Sequence, residues 1–119
     1  MIKFHPERKI IRRCSAPFEL VNDKGDTETH QITVEYYSLS TSKIKEMRES
    51  VDKRVKDGDT LWYSDLLSER LHALPDLVDG KNKPYKITLA FLDSLDSRNV
   101  QAIAEAIDED GRPKVRPEK

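Results

Sequence analysis

Hydrophobic positions alternate along the first third of the chain and then change to helical spacing. Between residues 9 and 21, Ile10, Cys14, Ala16, Phe18 and Leu20 fall on one set of alternate positions, interrupted at Arg12. A period of two places such side chains on one face of a strand. A second run, residues 28–37, puts Ile32, Val34 and Tyr36 on one face and Thr33, Glu35 and Tyr37 on the other. Between the runs, Asn22-Asp23-Lys24-Gly25-Asp26 supplies residues that tolerate left-handed backbone and bond their own main chain, which predicts a hairpin turn. Pro17 has no amide hydrogen to give to a ladder, so the first strand is expected at a sheet edge or at a bulge. A two-stranded hairpin is marginal in water, and this one must pack on helices or on another copy.

Helical spacing begins after Tyr37. Three times an apolar residue precedes a capping residue and a second apolar residue follows it by four positions, the arrangement of a hydrophobic staple. Leu39, Ser40 and Ile44 open a helix over 41–56 with Ile44, Met47, Val51 and Val55 on one face, ended by Asp57-Gly58-Asp59. Ile87, Thr88 and Leu92 open a short helix over 88–95. Leu95, Asp96 and Val100 open a helix over 97–109, with Val100, Ile103, Ala104 and Ile107 inward and Gly111 and Pro113 beyond its end. Trp62, Leu66, Leu67, Leu71 and Leu74 recur at helical intervals and predict a further helix over 61–74, stopped by Pro75. Residues 75–86 are turn-rich and form the longest irregular connection. The order is two strands and then four helices, an α+β arrangement in one domain over 1–112, with a flexible basic tail at 113–119.

Composition sharpens this picture. At 119 residues the chain has the size of one domain, and surface scaling predicts about 6,600 Å² exposed when folded against about 20,000 Å² unfolded. Hydrophobic and charged residues each make up 36% of the chain, so the core is expected to be lean. A net charge of −1 leaves no overall attraction for nucleic acid or a membrane surface. Charge is uneven, however: residues 61–110 are acidic, and Arg112, Lys114, Arg116 and Lys119 follow. The single Cys14 excludes an internal disulfide and fits a reducing compartment. The first residues carry no signal-peptide pattern, and no run of about 18 apolar residues occurs.

The search for chemistry is mostly negative. His5, His30 and His72 share no ligand spacing, so no metal or cofactor site is expected. Catalysis by Cys14 would require a histidine beside it, and only His30 on the facing strand offers one; a small buried hydrophobe is the simpler reading. Glu105, Asp108, Glu109 and Asp110 lack the ligand pattern of a calcium loop and sit where a helix dipole disfavours anions, which predicts solvated charge or a surface for a basic partner. On the first helix, Lys43, Lys45, Arg48, Lys53, Arg54 and Lys56 are interleaved with Glu46, Glu49 and Asp52, so nucleic-acid binding is not expected. Aromatic and large apolar residues anchor protein interfaces, and Tyr37, Trp62, Tyr63, Leu66, Tyr85 and Phe91 are the candidate partner-binding residues.

The whole order of elements resembles the tail assembly chaperones of long-tailed bacteriophages and prophages. The resemblance is carried by Val34-Glu35-Tyr36-Tyr37-Ser38-Leu39-Ser40-Thr41 leading into a charged helix, and by the leucine-rich segment ending Leu74-Pro75-Asp76. It continues in the run Ile87–Leu95, in Asn99–Ile107 and in Pro113-Lys114. It implies a non-catalytic protein that binds the tail tape measure protein, helps tail tube protein assemble around it in the bacterial cytoplasm, and is absent from the finished particle. Self-association is expected from the unpaired hairpin. The alternatives are a small tail or head-tail connector protein retained in the virion, and a small DNA-binding regulator.

Overall fold

The turn at Asn22 sets the register of the hairpin. The Asn22 side-chain oxygen accepts the backbone amides of Lys24 at 2.9 Å and Asp26 at 3.0 Å, while the Asn22 backbone amide donates to the Asp26 carbonyl at 2.9 Å. Gly25 takes a φ of +83°, a left-handed value that a side chain would strain. From this turn, β1 (Ile11–Val21) and β2 (Thr27–Tyr37) run antiparallel, with Val21 opposite Thr27 and Ile11 opposite Tyr37. The computed structural model describes residues 1–58 and 62–111, without the side chains of residues 62–64. The basic tail expected at 113–119 lies outside the described residues.

The remaining elements are α1 (Thr41–Lys56), α2 (Trp62–Arg70), β3 (Leu71–Ala73), α3 (Leu89–Ser94) and α4 (Ser97–Asp110). The mixture is α+β, as the periodicity predicts, but the sheet has three strands in the order β1-β2-β3. The helix expected over 61–74 is corrected. It stops at Arg70, and Leu71–Ala73 turns into a strand beside Glu35 and Tyr36. Leu67, Leu71 and Leu74 are buried in either conformation, so their spacing does not distinguish a continuous helix from a helix followed by a strand. β2 is therefore central and β1 lies at an edge, where Pro17 is tolerated.

The inner face of the sheet presents Ala16, Phe18, Ile32, Val34 and Tyr36. α4 lies against it with Val100, Ile103, Ala104 and Ile107, and Leu67, Leu71, Leu74 and Leu92 complete the same buried cluster. Ile10 falls outside β1 and is exposed, a correction to its expected place on the inner face. All three staple caps form: Ser40 accepts the amide of Lys43, Thr88 that of Phe91, and Asp96 that of Arg98.

Both edges of the sheet are partly closed by side chains. Bonds at Ile10 and Asn22 show that even-numbered residues of β1 face β2, so odd-numbered residues turn their backbone groups toward the open edge. There Pro17 has no donor, and Asn99 of α4 occupies both backbone groups of Glu19. On the far side of β2, the Asp76 carboxylate accepts the Thr33 amide at 2.6 Å, and Arg70 donates to the Tyr37 carbonyl at 3.3 Å. The unpaired hairpin edge expected from the sequence is thus interrupted at Pro17 and Glu19 on β1 and at Thr33 and Tyr37 on β2.

The lean core leaves much surface uncovered. Among the described residues, Ile2, Phe4, Ile10, Val21 and Val55 are large apolar side chains left exposed. Among the described residues, no helix is long and apolar enough to cross a membrane.

Candidate protein-binding groove

α1 carries the stripe Ile44, Met47, Val51 and Val55 that its sequence predicts, yet none of its residues is fully buried: Ile44, Met47 and Val51 are half-buried and Val55 is exposed. A stripe of this kind normally holds a helix to its protein, because a 16-residue helix is marginal by itself. Here α1 meets α2 through an ion pair between the Arg54 guanidinium and Asp65 at 2.7 Å and, further along, beside Glu69. Ile44, Met47 and Val51 then face Leu66 of α2 and Ala104 of α4 across an open groove of about 690 Å³. Asp52, Glu105, Asp108 and Glu109 line it with Arg48 and Arg70, so its lining is acidic overall.

Arg70 anchors one wall. Its side chain is buried, its Nη2 donates to the Tyr37 carbonyl at 3.3 Å, and its guanidinium lies 5.2 Å from the centroid of the Tyr36 ring. Its Nε is buried without a hydrogen-bond partner. Burial lowers the pKa of Arg70, while Tyr36 and Asp108 act in the opposite direction. Tyr36, itself fully buried, donates its hydroxyl to Asp110 at the end of α4. Burial raises the Tyr36 pKa first, and the bond to Asp110 adds to the effect. Asp110 thus has a tertiary partner, which corrects the expectation of solvated charge at that position of the acidic end.

Chemistry that would suit an enzyme does not assemble around Cys14. Cys14 faces Val34 across the ladder, whereas His30 faces Phe18 and bonds Glu28 at 3.0 Å. The register therefore separates the two residues. Burial, then the charge of Asp110, pushes the Cys14 thiol up to about 11, with Arg70 opposing. Among the described residues, no three His, Cys, Asp or Glu side chains are placed to hold a metal ion.

The predicted partner-binding residues separate into different places. Leu66 lines the groove. Tyr37 lies away from it, with its hydroxyl 2.9 Å from His72 Nδ1 and Lys9 over its ring. Tyr85 and Phe91 pack together with ring centroids 5.0 Å apart. The side chains of Trp62 and Tyr63 lie outside the described residues. The chain matches no protein-family model, and no curated protein or solved structure is significantly similar to it. The groove was visible in the sequence only as two separate features, the stripe on α1 and the acidic end of α4. Their meeting is a tertiary fact that local periodicity does not contain.

Proposed function

We propose that this chain is a non-catalytic protein-binding domain whose groove between α1, α2 and α4 receives an apolar segment of another protein. The observation that supports this reading is α1 itself, a long amphipathic helix whose apolar face is only half-buried at Ile44, Met47 and Val51 and borders an open groove. Amphipathic segments bind in such grooves by laying one apolar face against another. The acidic lining favours a client with basic residues beside its apolar ones. Taken with the resemblance to phage tail assembly chaperones, the client is the tape measure protein, kept soluble until tail tube protein assembles around it.

Co-expression with the tape measure protein of a neighbouring gene tests the proposal. The expected result is a soluble complex that co-purifies, is weakened by Val51→Asp on the groove wall, and is missing from mature particles. A client that stays insoluble, with this chain found in purified particles, would replace the chaperone by a structural tail component.

A further inference from the structure

The chain carries a second apolar feature, this one fully exposed, and its charge is opposite to that of the groove. Residues 1–10 are exposed throughout, with Ile2 at 97% and Phe4 at 81% of full exposure. This arm holds Lys3, Arg8 and Lys9 against the single acidic Glu7, whereas the groove holds Asp52, Glu105, Asp108 and Glu109 against Arg48 and Arg70. Apolar side chains with basic neighbours on one surface, and an apolar floor with acidic neighbours on the other, form a complementary pair.

The root of the arm lies on a different flank of α1 from the groove. The Ile10 carbonyl accepts the Ser38 amide at 2.7 Å, and Lys9 lies with Lys43, Glu46 and Ser50 along that flank. Ile44, Val51 and Asp52 point about a third of a turn away, into the groove. Met47 borders both sides, so the root of an arm and the groove of the same copy lie on adjoining flanks of α1, while the groove of a second copy is open to the arm.

We infer that two copies of this chain associate by arm exchange, with Ile2 and Phe4 of one copy entering the α1–α2–α4 groove of the other. Exchange describes the protein without a client and is tested on the purified chain alone, so its failure leaves the client reading untouched.

Sedimentation velocity over a concentration series provides the test, with three proteins. One is the unchanged chain, one carries Ile2→Asp and Phe4→Asp on the arm, and one carries Val51→Asp in the groove. The arm lies outside the core and α1 contributes nothing to it, so all three proteins should retain the same circular dichroism. The unchanged chain is expected to associate, more weakly as salt is raised. Each variant should raise the dissociation constant by about tenfold or more, the effect of losing one or two buried apolar side chains. Mixing the variants should recover association, because the intact arm of the groove variant meets the intact groove of the arm variant. An unchanged chain that stays monomeric overturns the inference, whether its groove is empty, filled by its own arm or kept for another protein. Association that survives both sets of substitutions also overturns it and moves the contact to another surface, such as the open end of β1.

Discussion

Asn99, in the first turn of α4, holds both backbone groups of Glu19, eighty residues earlier in the chain. Its Oδ1 accepts the Glu19 amide at 2.9 Å, and its Nδ2 donates to the Glu19 carbonyl at 2.8 Å. A side-chain amide carries one donor and one acceptor in the arrangement that a neighbouring strand would offer, so Asn99 acts as a one-residue strand at the edge of β1. It ties α4 to the sheet and removes a pairing site that would invite edge-to-edge aggregation.

Asn99→Ala should therefore destabilise the fold by about 1–3 kcal/mol, the sum of two modest hydrogen bonds and the loss of a buried side chain. Asn99→Asp keeps the acceptor for the Glu19 amide but sets a carboxylate against the Glu19 carbonyl. It should cost at least as much as alanine, despite its favourable place near a helix N-terminus. Urea titration measures both effects. A variant as stable as the parent would show that the contact contributes nothing.

What the sequence made legible was local. Ser40, Thr88 and Asp96 announce their helices because the chemistry of a cap lies within four residues. The inner faces of β1 and β2 are readable because alternation along a strand is set by burial. β3 was hidden, since Leu67, Leu71 and Leu74 satisfy a helical period whether or not the backbone stays helical. The Asn99 clasp, the place of Arg70 beneath Tyr37 and the meeting of α1 with α4 depend on distant parts of the chain and leave no local pattern.

Arg70 gives a second prediction. Its guanidinium lies close to the end of α4, where a Cβ placed on Gly111 would come 3.4 Å from Nη2. Arg70→Ala would leave the Tyr37 carbonyl without this donor, deprive Asp108 of a nearby positive charge and open space beside the Tyr36 ring. The expected loss is about 2–4 kcal/mol. Arg70→Met, which fills the space without burying a charge, should lose less than alanine. Thermal unfolding of the two variants compares them, and equal losses would mean that packing beside Tyr36 contributes little.

Cys14 should behave as a protected thiol. The thiolate is the reactive form, and with the folded pKa pushed up to about 11 from 9.0 its population at pH 8 is about a hundredfold lower than in the unfolded chain. Alkylation of the native protein should be slower than that of the urea-unfolded protein by at least this factor. The same shift sets a sign for stability. Below pH 9 the thiol is protonated in both states and stability does not depend on it. As pH rises from 9 to about 11 the unfolded state alone ionises, so stability falls through that window. Cys14→Ser should lessen this alkaline loss, and an unchanged alkaline profile would assign it to other groups.

The last prediction concerns α1, because the proposed site depends on its being attached but only half-covered. Protection from hydrogen exchange follows the free energy of the opening that frees each amide, and a helix without buried residues opens without disturbing the core. Amides in residues 45–56 should therefore exchange far faster than those of residues 101–107 in α4, whose buried side chains hold it to the sheet. Asp65→Ala, which removes one partner of Arg54, should speed exchange in α1 further while changing global stability by less than about 1 kcal/mol, the scale of an exposed ion pair. Bound client or a second copy in the groove should slow α1 exchange and leave α4 nearly unchanged. Equal protection of α1 and α4 in the protein alone, at concentrations where it is monomeric, would mean that α1 belongs to the cooperative core and that its apolar stripe is not free to bind.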